Sequence, residues 1–497
     1  MSTSLRAPRA VPTHPAAVGA ATSGLVGCLM TGALLVLGCA RPPTARPNII
    51  IVLVDALRPD HLGCYGYRLP TSPAIDAFST EGVVFTEAVS VADWTKPAVP
   101  SLLTSLYPSQ HGVFEGSASD TEGKITSDIL GESLVTVGEM LQGAGYATAA
   151  FVMNAQLKAF LGFQQGFELF AEDLGEASQI IARFLAWLDD RPGDRPFFVY
   201  LHFLDVHWPY TPPPPYDTMF GEYASQLDLA AHDPKALRQR INDGELTLAA
   251  TDVLHLVSQY DGEIRAFDDQ FAELHAALKR RHVLEHTWIV LTADHGEEFY
   301  EHRKIGHGNS LYEELLRVPL VIRGPSATPG ARVSTPVSLI DIVPTALDVA
   351  GLSLAPSLMG RSLRRGLEGG ALDRRPTFAE SRHKYDYARA IRASGFKYIE
   401  SFKERSHDRN EPPATRFAPS RLRDPARFSL RRELYRLTDD PWETIDLSER
   451  EAAVVSTLAA ALDAWAERLE GGGRGESGRR ELDPATIEHL RALGYVQ

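Results

Sequence analysis

The sequence predicts an α/β protein built on a doubly wound, mostly parallel β-sheet and followed by a small C-terminal antiparallel sheet. Three observations predict it. Continuous β-branched and Leu-rich runs at 48–54, 146–152, 196–203, 287–292 and 319–322 read as strands buried on both faces, as in parallel sheets. Helical patterns separate several of these runs, and that alternation implies a doubly wound domain. After Gly351 the pattern changes: Arg389–Ile391 and Phe396–Ile399 flank a Ser394-Gly395 turn, Glu433–Thr438 is strand-like and Glu451–Leu469 is helical.

In chain order, Arg6 and Arg9 precede an uncharged stretch from Ala16 to Gly38, which has the profile of a signal sequence. It ends Val36-Leu37-Gly38-Cys39 and resembles a bacterial lipobox, in which cleavage leaves a lipidated Cys, here Cys39, as the first mature residue. Leu25-Val26-Gly27-Cys28 is a weaker version of the same pattern. An uncleaved anchor helix or an ordinary signal peptide is the alternative, since the stretch approaches the ~20 residues of a membrane span. Each reading places the body outside the cytoplasm, and the first predicts lipid anchoring in a bacterial cell envelope, on the periplasmic or surface side.

Residues 1–38 are therefore read as a lipoprotein signal peptide and 39–47, rich in Pro, as a short extended tether. Residues 48–369 are read as the α/β domain and 370–497 as the small C-terminal sheet and helix. Within the large domain, Leu254, Val257, Ile264, Phe267, Phe271 and Leu274 have the spacing of one long amphipathic helix over 252–279. The segment 212–250, with its Pro run and mixed charges, reads as a surface insertion that shapes access.

Fifty Lys plus Arg against 64 Asp plus Glu leave a net charge of −14, which argues against nucleic acid as a partner. Cys28, Cys39 and Cys64 are the only cysteines. With Cys28 removed and Cys39 lipidated, Cys64 has no disulfide partner.

Ligands of doubly wound sheets gather at the carboxyl ends of the strands. Asp55 follows one strand run, Asp205 and His207 follow another, and Asp294-His295 follow a third. Buried carboxylates there are costly unless paired or bound to metal, and two Asp with one imidazole can make a divalent cation site. Between them lies Trp94-Thr95-Lys96-Pro97, where Pro97 predicts a helix starting just past Thr95. A hydroxyl at that helix N-terminus sits where the dipole favours an anion, and metal coordination would make it a nucleophile. A Thr there also serves simply as a helix cap.

Val54-Asp55-Ala56-Leu57-Arg58-Pro59-Asp60-His61-Leu62-Gly63-Cys64-Tyr65-Gly66 resembles the opening motif of the sulfatases, within the alkaline phosphatase superfamily. Leu103-Thr104 through Tyr107-Pro108 and His111-Gly112 resembles the end of their nucleophile motif, and Leu291–Glu298, Gly306-His307-Gly308 and Tyr312–Pro319 resemble the strand carrying the Asp-His pair and its sequel. Further resemblances fall at Tyr260–Asp268, Asp341–Thr345 and Glu433–Leu447, so that they span nearly all of 48–447. The resemblance implies an alkaline phosphatase/sulfatase-like fold and metal ligation by Asp55, Asp294, His295 and Thr95, with Thr95 in the nucleophile position. It implies that His307 meets a substrate oxygen, a second metal or the leaving group, and that Asp205–Tyr210 brings His207 to the site. The ion is expected to be Ca, Mg, Mn or Zn, with a second ion possible.

The departures are informative. Sulfatases place at the nucleophile position a Cys, inside C-x-P-x-R, that is oxidised to formylglycine; here Thr95 stands in its place and Val99 where the Arg belongs. The sulfate-gripping Lys-x-His has no counterpart in Phe151-Val152-Met153-Asn154-Ala155, and Ala56 replaces a second Asp. Thr cannot become formylglycine, whereas Thr nucleophiles in superfamily relatives work through phospho-threonine. The resulting expectation is a metal-dependent hydrolase of phosphoric esters, most of all diesters, with water cleaving phospho-Thr95. Asn154, Asp205 and Lys96 are further candidates for contact with the substrate, a small-molecule, lipid or glycan ester; Lys96 also reads as an ordinary solvated lysine. The alternatives are a sulfuric ester hydrolase, a phosphoryl head-group transferase and a non-catalytic binding protein.

Overall fold

Asn48–Val54 form β1, the axis of the fold, and Ile49–Val54 are all buried because strands flank both edges and other layers cover both faces. A computed structural model describes residues 46–492 except 120–123, 192, 231–232, 384–385, 406–418 and 472–477. The signal segment, Cys39 and most of the tether lie outside the described residues. Burial of each Ile, Leu or Val of β1 contributes about 1.5–3 kcal/mol.

The main sheet adds β2 (Val83–Phe85), β3 (Ala147–Val152), β4 (Leu169–Glu172), β5 (Phe197–Phe203), β6 (Thr287–Thr292), β7 (Leu320–Arg323) and β8 (Ala331–Val333). Their order is β8-β2-β7-β6-β1-β5-β3-β4. Every described pairing is parallel except the two made by β7. Leu53 is level with His202 of β5 and with Thr292 of β6. That register brings the carboxyl ends of β1, β5 and β6 to one edge.

Four helices matter most to the site and its support: α1 (Thr95–Thr104), α2 (Ala177–Asp190), α3 (Ala250–Arg280) and α4 (Ala452–Gly471). In α3 the Asp252 carboxylate accepts the Ala249 N–H at 2.9 Å, and Lys279 and Arg280 occupy the last turn, where they complement the helix dipole. Its buried face runs through Leu256, Tyr260, Ile264, Phe267, Phe271 and Leu274. Leu254, expected on that face, is 46% exposed, because it lies two residues before Leu256, about 200° around the helix from the stripe that begins there.

The C-terminal sheet is antiparallel, in the order β9 (Thr377–His383), β10 (Asp386–Ala393), β11 (Phe396–Glu404) and β12 (Phe428–Arg436). Ser394 and Gly395, with φ of 54° and 81°, make the left-handed turn between β10 and β11. Trp465 of α4 stacks on Phe378 at 4.9 Å and meets Tyr107 edge-on at 5.1 Å. That aromatic cluster ties the small sheet to the α/β layer. The chain's last described segment does not stay with it: Arg479–Glu481 pair with Ile125–Asp128, and Leu482 and Leu490 enter the main core. Among the described residues no helix is long and apolar enough to cross a membrane.

Candidate active site

Three strand ends converge. Asp55 follows β1, Asp294 and His295 follow β6, and all three are fully buried. The backbone turns sharply after Asp55, with Ala56 in the left-handed region at φ 60°, strain that a non-Gly residue holds only where its surroundings over-determine it. Here the Tyr260 hydroxyl donates to Ala56 O at 2.7 Å, while the amide of Ala56 lies 3.4 Å from Asp294 Oδ1.

Thr95 opens α1 directly opposite. Trp94 before it is extended, at φ −165°, so the helix begins at the nucleophile candidate itself. Thr95 Oγ1 lies 3.2 Å from both Asp55 Oδ2 and His295 Nε2. A helix N-terminus at this point aims backbone N–H groups and a positive dipole end at any anion bonded to that oxygen.

The donor set fits a divalent cation. Ligand atoms of Asp55, Asp294 and His295 all lie within 4.8 Å of one another. Asp55 Oδ1 and Asp294 Oδ2 are buried without a hydrogen-bond partner. His295 Nδ1 faces Gly296 O at 2.8 Å; a carbonyl only accepts, so Nδ1 carries a proton and Nε2 is the nitrogen that faces the cluster and can offer its lone pair to a cation in exchange for its own proton. Burial and the charge of Asp55 raise Asp294 to about 6. Burial opposes protonation of His295, yet Asp294 and Asp55 pull it up to about 10. Two buried carboxylates beside one imidazole call for a cation.

A row of imidazoles continues outward: His307 is 4.5 Å from His295 and His207 is 4.8 Å from His307, centre to centre. His307 Nδ1 donates to Glu297 Oε1 at 3.0 Å and His207 Nδ1 to Trp208 O at 2.5 Å. Burial lowers both imidazoles, His207 to about 4, with the neighbouring histidines adding to it. Asn242 of the 212–250 segment clamps the loop before His307, donating to Ile305 O at 3.0 Å and accepting from Ile305 N at 2.8 Å.

Three candidates sit differently from expectation. Asn154 is beside the cluster, but its Nδ2 donates to Asp55 Oδ2 at 2.9 Å and its Oδ1 accepts the Gln156 amide at 2.8 Å. It therefore positions a carboxylate. Lys96 is not solvated: it is fully buried, donates to Gln156 O at 2.9 Å and stands 5.1 Å above the Phe163 ring. Burial lowers it to about 7, and the charge that acts on it is Asp128 rather than the metal-site carboxylates. Asp205 accepts the Ala177 N–H at 3.0 Å and so caps α2.

The sequence reading missed His202, whose Nε2 lies 3.3 Å from Asp55 Oδ2. The available signal was a lone imidazole inside the otherwise apolar Phe197–Phe203 run. Glu297, which orients His307, lies inside the Leu291–Glu298 motif, two residues after His295.

Comparison with known proteins then decides the family. The sulfatase family model matches residues 47–352. The chain belongs to the sulfatase family. That membership makes it a hydrolase of sulfuric or phosphoric esters. The sulfatase N-acetylglucosamine-6-O-sulfatase of Bacteroides thetaiotaomicron is 25% identical over 427 residues, covering 68% of this chain and 75% of the relative. An uncharacterized sulfatase of Escherichia coli strain K12 is 24% identical over 362 residues, covering 64% and 70%. Among solved structures, the phosphonate monoester hydrolase of Agrobacterium radiobacter superposes with a TM-score of 0.65 at 21% identity, over 88% of this chain and all of the other. A 2-O GAG sulfatase gives 0.65 at 19% identity, over 86% and 93%. The mostly parallel sheet with its small antiparallel companion is thus the sulfatase fold.

Proposed function

We propose that this sulfatase-family protein is a metal-dependent hydrolase of phosphoric esters, acting on diesters through a phospho-Thr95 intermediate. The observation that carries the reading is the position of the Thr95 hydroxyl, 3.2 Å from both Asp55 Oδ2 and His295 Nε2 in a side chain that cannot be oxidised to formylglycine. The structural likeness to phosphonate monoester hydrolases agrees with a phosphorus centre.

Asp55, Asp294, His295 and Thr95 would hold a divalent ion, which would supply the positive charge that lowers the Thr95 pKa and stabilises charge developing on the phosphoryl oxygens. Thr95 Oγ1 attacks phosphorus in line, the bond to the leaving alkoxide breaks, and the proton given up by the Thr95 hydroxyl ends on the departing oxygen. The N-terminus of α1 stabilises the equatorial oxygens. His307, with its Nδ1 proton held by Glu297, offers the Nε2 lone pair as the base that relays the Thr95 proton to the leaving oxygen and then takes a proton from the attacking water, and His207 stands beside it. Water then attacks phosphorus, the bond to Thr95 Oγ1 breaks, and the phosphomonoester leaves while a water proton restores the Thr95 hydroxyl. Export with a lipid on Cys39 belongs to the same reading and places the enzyme against envelope lipids or glycans.

A second reading is favoured by the named sulfatases among the relatives: the same residues cleave a sulfate monoester, which is likewise tetrahedral and singly charged. Parallel assays of the purified protein and of Thr95→Ala on aryl phosphodiester, phosphomonoester and sulfate esters, with Mg, Mn, Ca or Zn, separate the two. Phosphoester turnover lost in Thr95→Ala supports the first; preference for the sulfate ester replaces it with the second.

A further inference from the structure

The two oxygens of Asp55 have different surroundings. Oδ2 faces Thr95 Oγ1 at 3.2 Å, Asn154 Nδ2 at 2.9 Å and His202 Nε2 at 3.3 Å. Oδ1 has no hydrogen-bond partner and looks toward His295 Nε2 at 3.3 Å. His202 is held in turn, since the Tyr200 hydroxyl lies 2.9 Å from its Nδ1 and both residues are buried. One proton arrangement satisfies the whole chain: Tyr200 O–H donates to His202 Nδ1, and His202 Nε2–H donates to the Asp55 carboxylate. The reverse would leave the Tyr200 proton without an acceptor and turn a lone pair of His202 toward a carboxylate oxygen.

Asp294 is arranged to the same effect. Its Oδ1 accepts the His295 amide at 3.0 Å and faces the Ala56 amide at 3.4 Å, while Oδ2 is unpartnered. Each carboxylate therefore has one oxygen engaged with protein donors and one open. Ala56, which follows Asp55, has no side-chain donor to add.

We infer that His202 and Asn154 are positioning residues that make Asp55 a one-oxygen ligand, and that the centre is thereby built for a transition-metal ion, Zn2+ before Ca2+. One oxygen from each of two Asp, the His295 imidazole and the Thr95 hydroxyl form a compact set of four single-atom donors. Ca2+ takes six to eight oxygens and commonly uses carboxylates in bidentate fashion. Zn2+ accepts four ligands and favours imidazole. Partners that orient a metal ligand in this way typically carry 10- to 100-fold in affinity. The inference rests on the proposed metal centre, although not on which ester is cleaved there.

The test is calorimetric titration of the metal-stripped, lipid-free protein with Zn2+ and separately with Ca2+, for wild type, for the double variant His202→Phe/Asn154→Ala, and for Tyr200→Phe. Wild type is expected to bind Zn2+ at least 100-fold more tightly than Ca2+. In the double variant Zn2+ affinity is expected to fall 10- to 100-fold while Ca2+ affinity holds or rises, because the second Asp55 oxygen is released. A merely structural role would weaken both ions alike and leave their ratio unchanged, which overturns the inference, as does a wild-type preference for Ca2+. Tyr200→Phe removes a single oxygen and is expected to shift the ratio the same way by a smaller factor; should the double variant fail to fold, an unchanged ratio in Tyr200→Phe is the contrary result. Because titration needs no turnover, an unchanged ratio alongside metal-dependent phosphoester cleavage overturns the positioning role alone. The expected ratios alongside no phosphoester cleavage overturn the proposed reaction alone.

Discussion

Thr95 Oγ1 lies 3.2 Å from His295 Nε2, the nitrogen left facing the cluster when His295 Nδ1 donates to Gly296 O. The helix N-terminus and the Asp-His turn thus meet at one oxygen. Thr95→Ala is expected to lower kcat by about a thousandfold or more on the preferred ester, and Thr95→Ser to retain part of it, since only the hydroxyl attacks. Steady-state kinetics with matched metal content check this.

His307 is oriented by Glu297 through a 3.0 Å hydrogen bond. Serving the leaving oxygen, His307 matters least where that oxygen departs unaided, so His307→Ala is expected to cost little on an aryl ester, whose aryloxide is a good leaving group. On an alkyl ester the expected loss in kcat/KM is about 10²-fold or more. A plot of rate against leaving-group pKa for both proteins gives the answer.

Gly296 directly follows His295, and an added Cβ there would fall 2.0 Å from the Glu314 carbonyl oxygen. Backbone cannot yield as a flexible side chain does, so Gly296→Ala is expected to destabilise the protein by about 1–3 kcal/mol. It should also weaken metal binding by moving His295. Chemical denaturation and metal titration of the variant measure the two effects.

Beside that turn, His302 Nδ1 meets Glu314 Oε1 at 2.5 Å, and Glu298 is fully buried nearby. Burial opposes protonation of His302, but the hydrogen bond and charge of Glu314 raise it to about 9; burial, then the charge of Glu314, raise Glu298 to about 8. Both groups hold protons in the folded state that the unfolded chain releases earlier. The His302 contribution is complete below pH about 6.5 and lost through pH 9, and that of Glu298 is complete below about 4.5 and lost through pH 8. Stability should therefore fall as pH rises from neutral to 9, and Glu298→Gln should recover on the order of 2 kcal/mol at the alkaline end. Urea melts at pH 6, 7.5 and 9 test the sign.

The long buried strands were legible because a strand covered on both faces must be apolar along its whole length, as Asn48–Val54 and Thr287–Thr292 are. Val83–Phe85 and Ala331–Val333, three residues each, were not, since runs that short carry no period of their own. Asp55, Thr95, Asp294 and His295 were legible as strand and helix ends. His202 was not, because a single imidazole in an apolar strand resembles a packed core residue until the register places it beside Asp55. Lys96 misled for the opposite reason: lysine is rarely buried, and nothing in its neighbours announced the carbonyl of Gln156 as its partner.

The proposed chemistry requires Thr95 itself to carry the phosphoryl group. Acid quenching of the metal-loaded enzyme during turnover of an aryl phosphodiester, followed by mass spectrometry of the peptide containing Thr95, tests it most directly. The expected result is a phosphoryl adduct on Thr95 that still carries the substrate's second ester group, appears with substrate, decays as substrate is exhausted and is absent from Thr95→Ala. Product formation at an undiminished rate with Thr95 unmodified, or in Thr95→Ala, would contradict it.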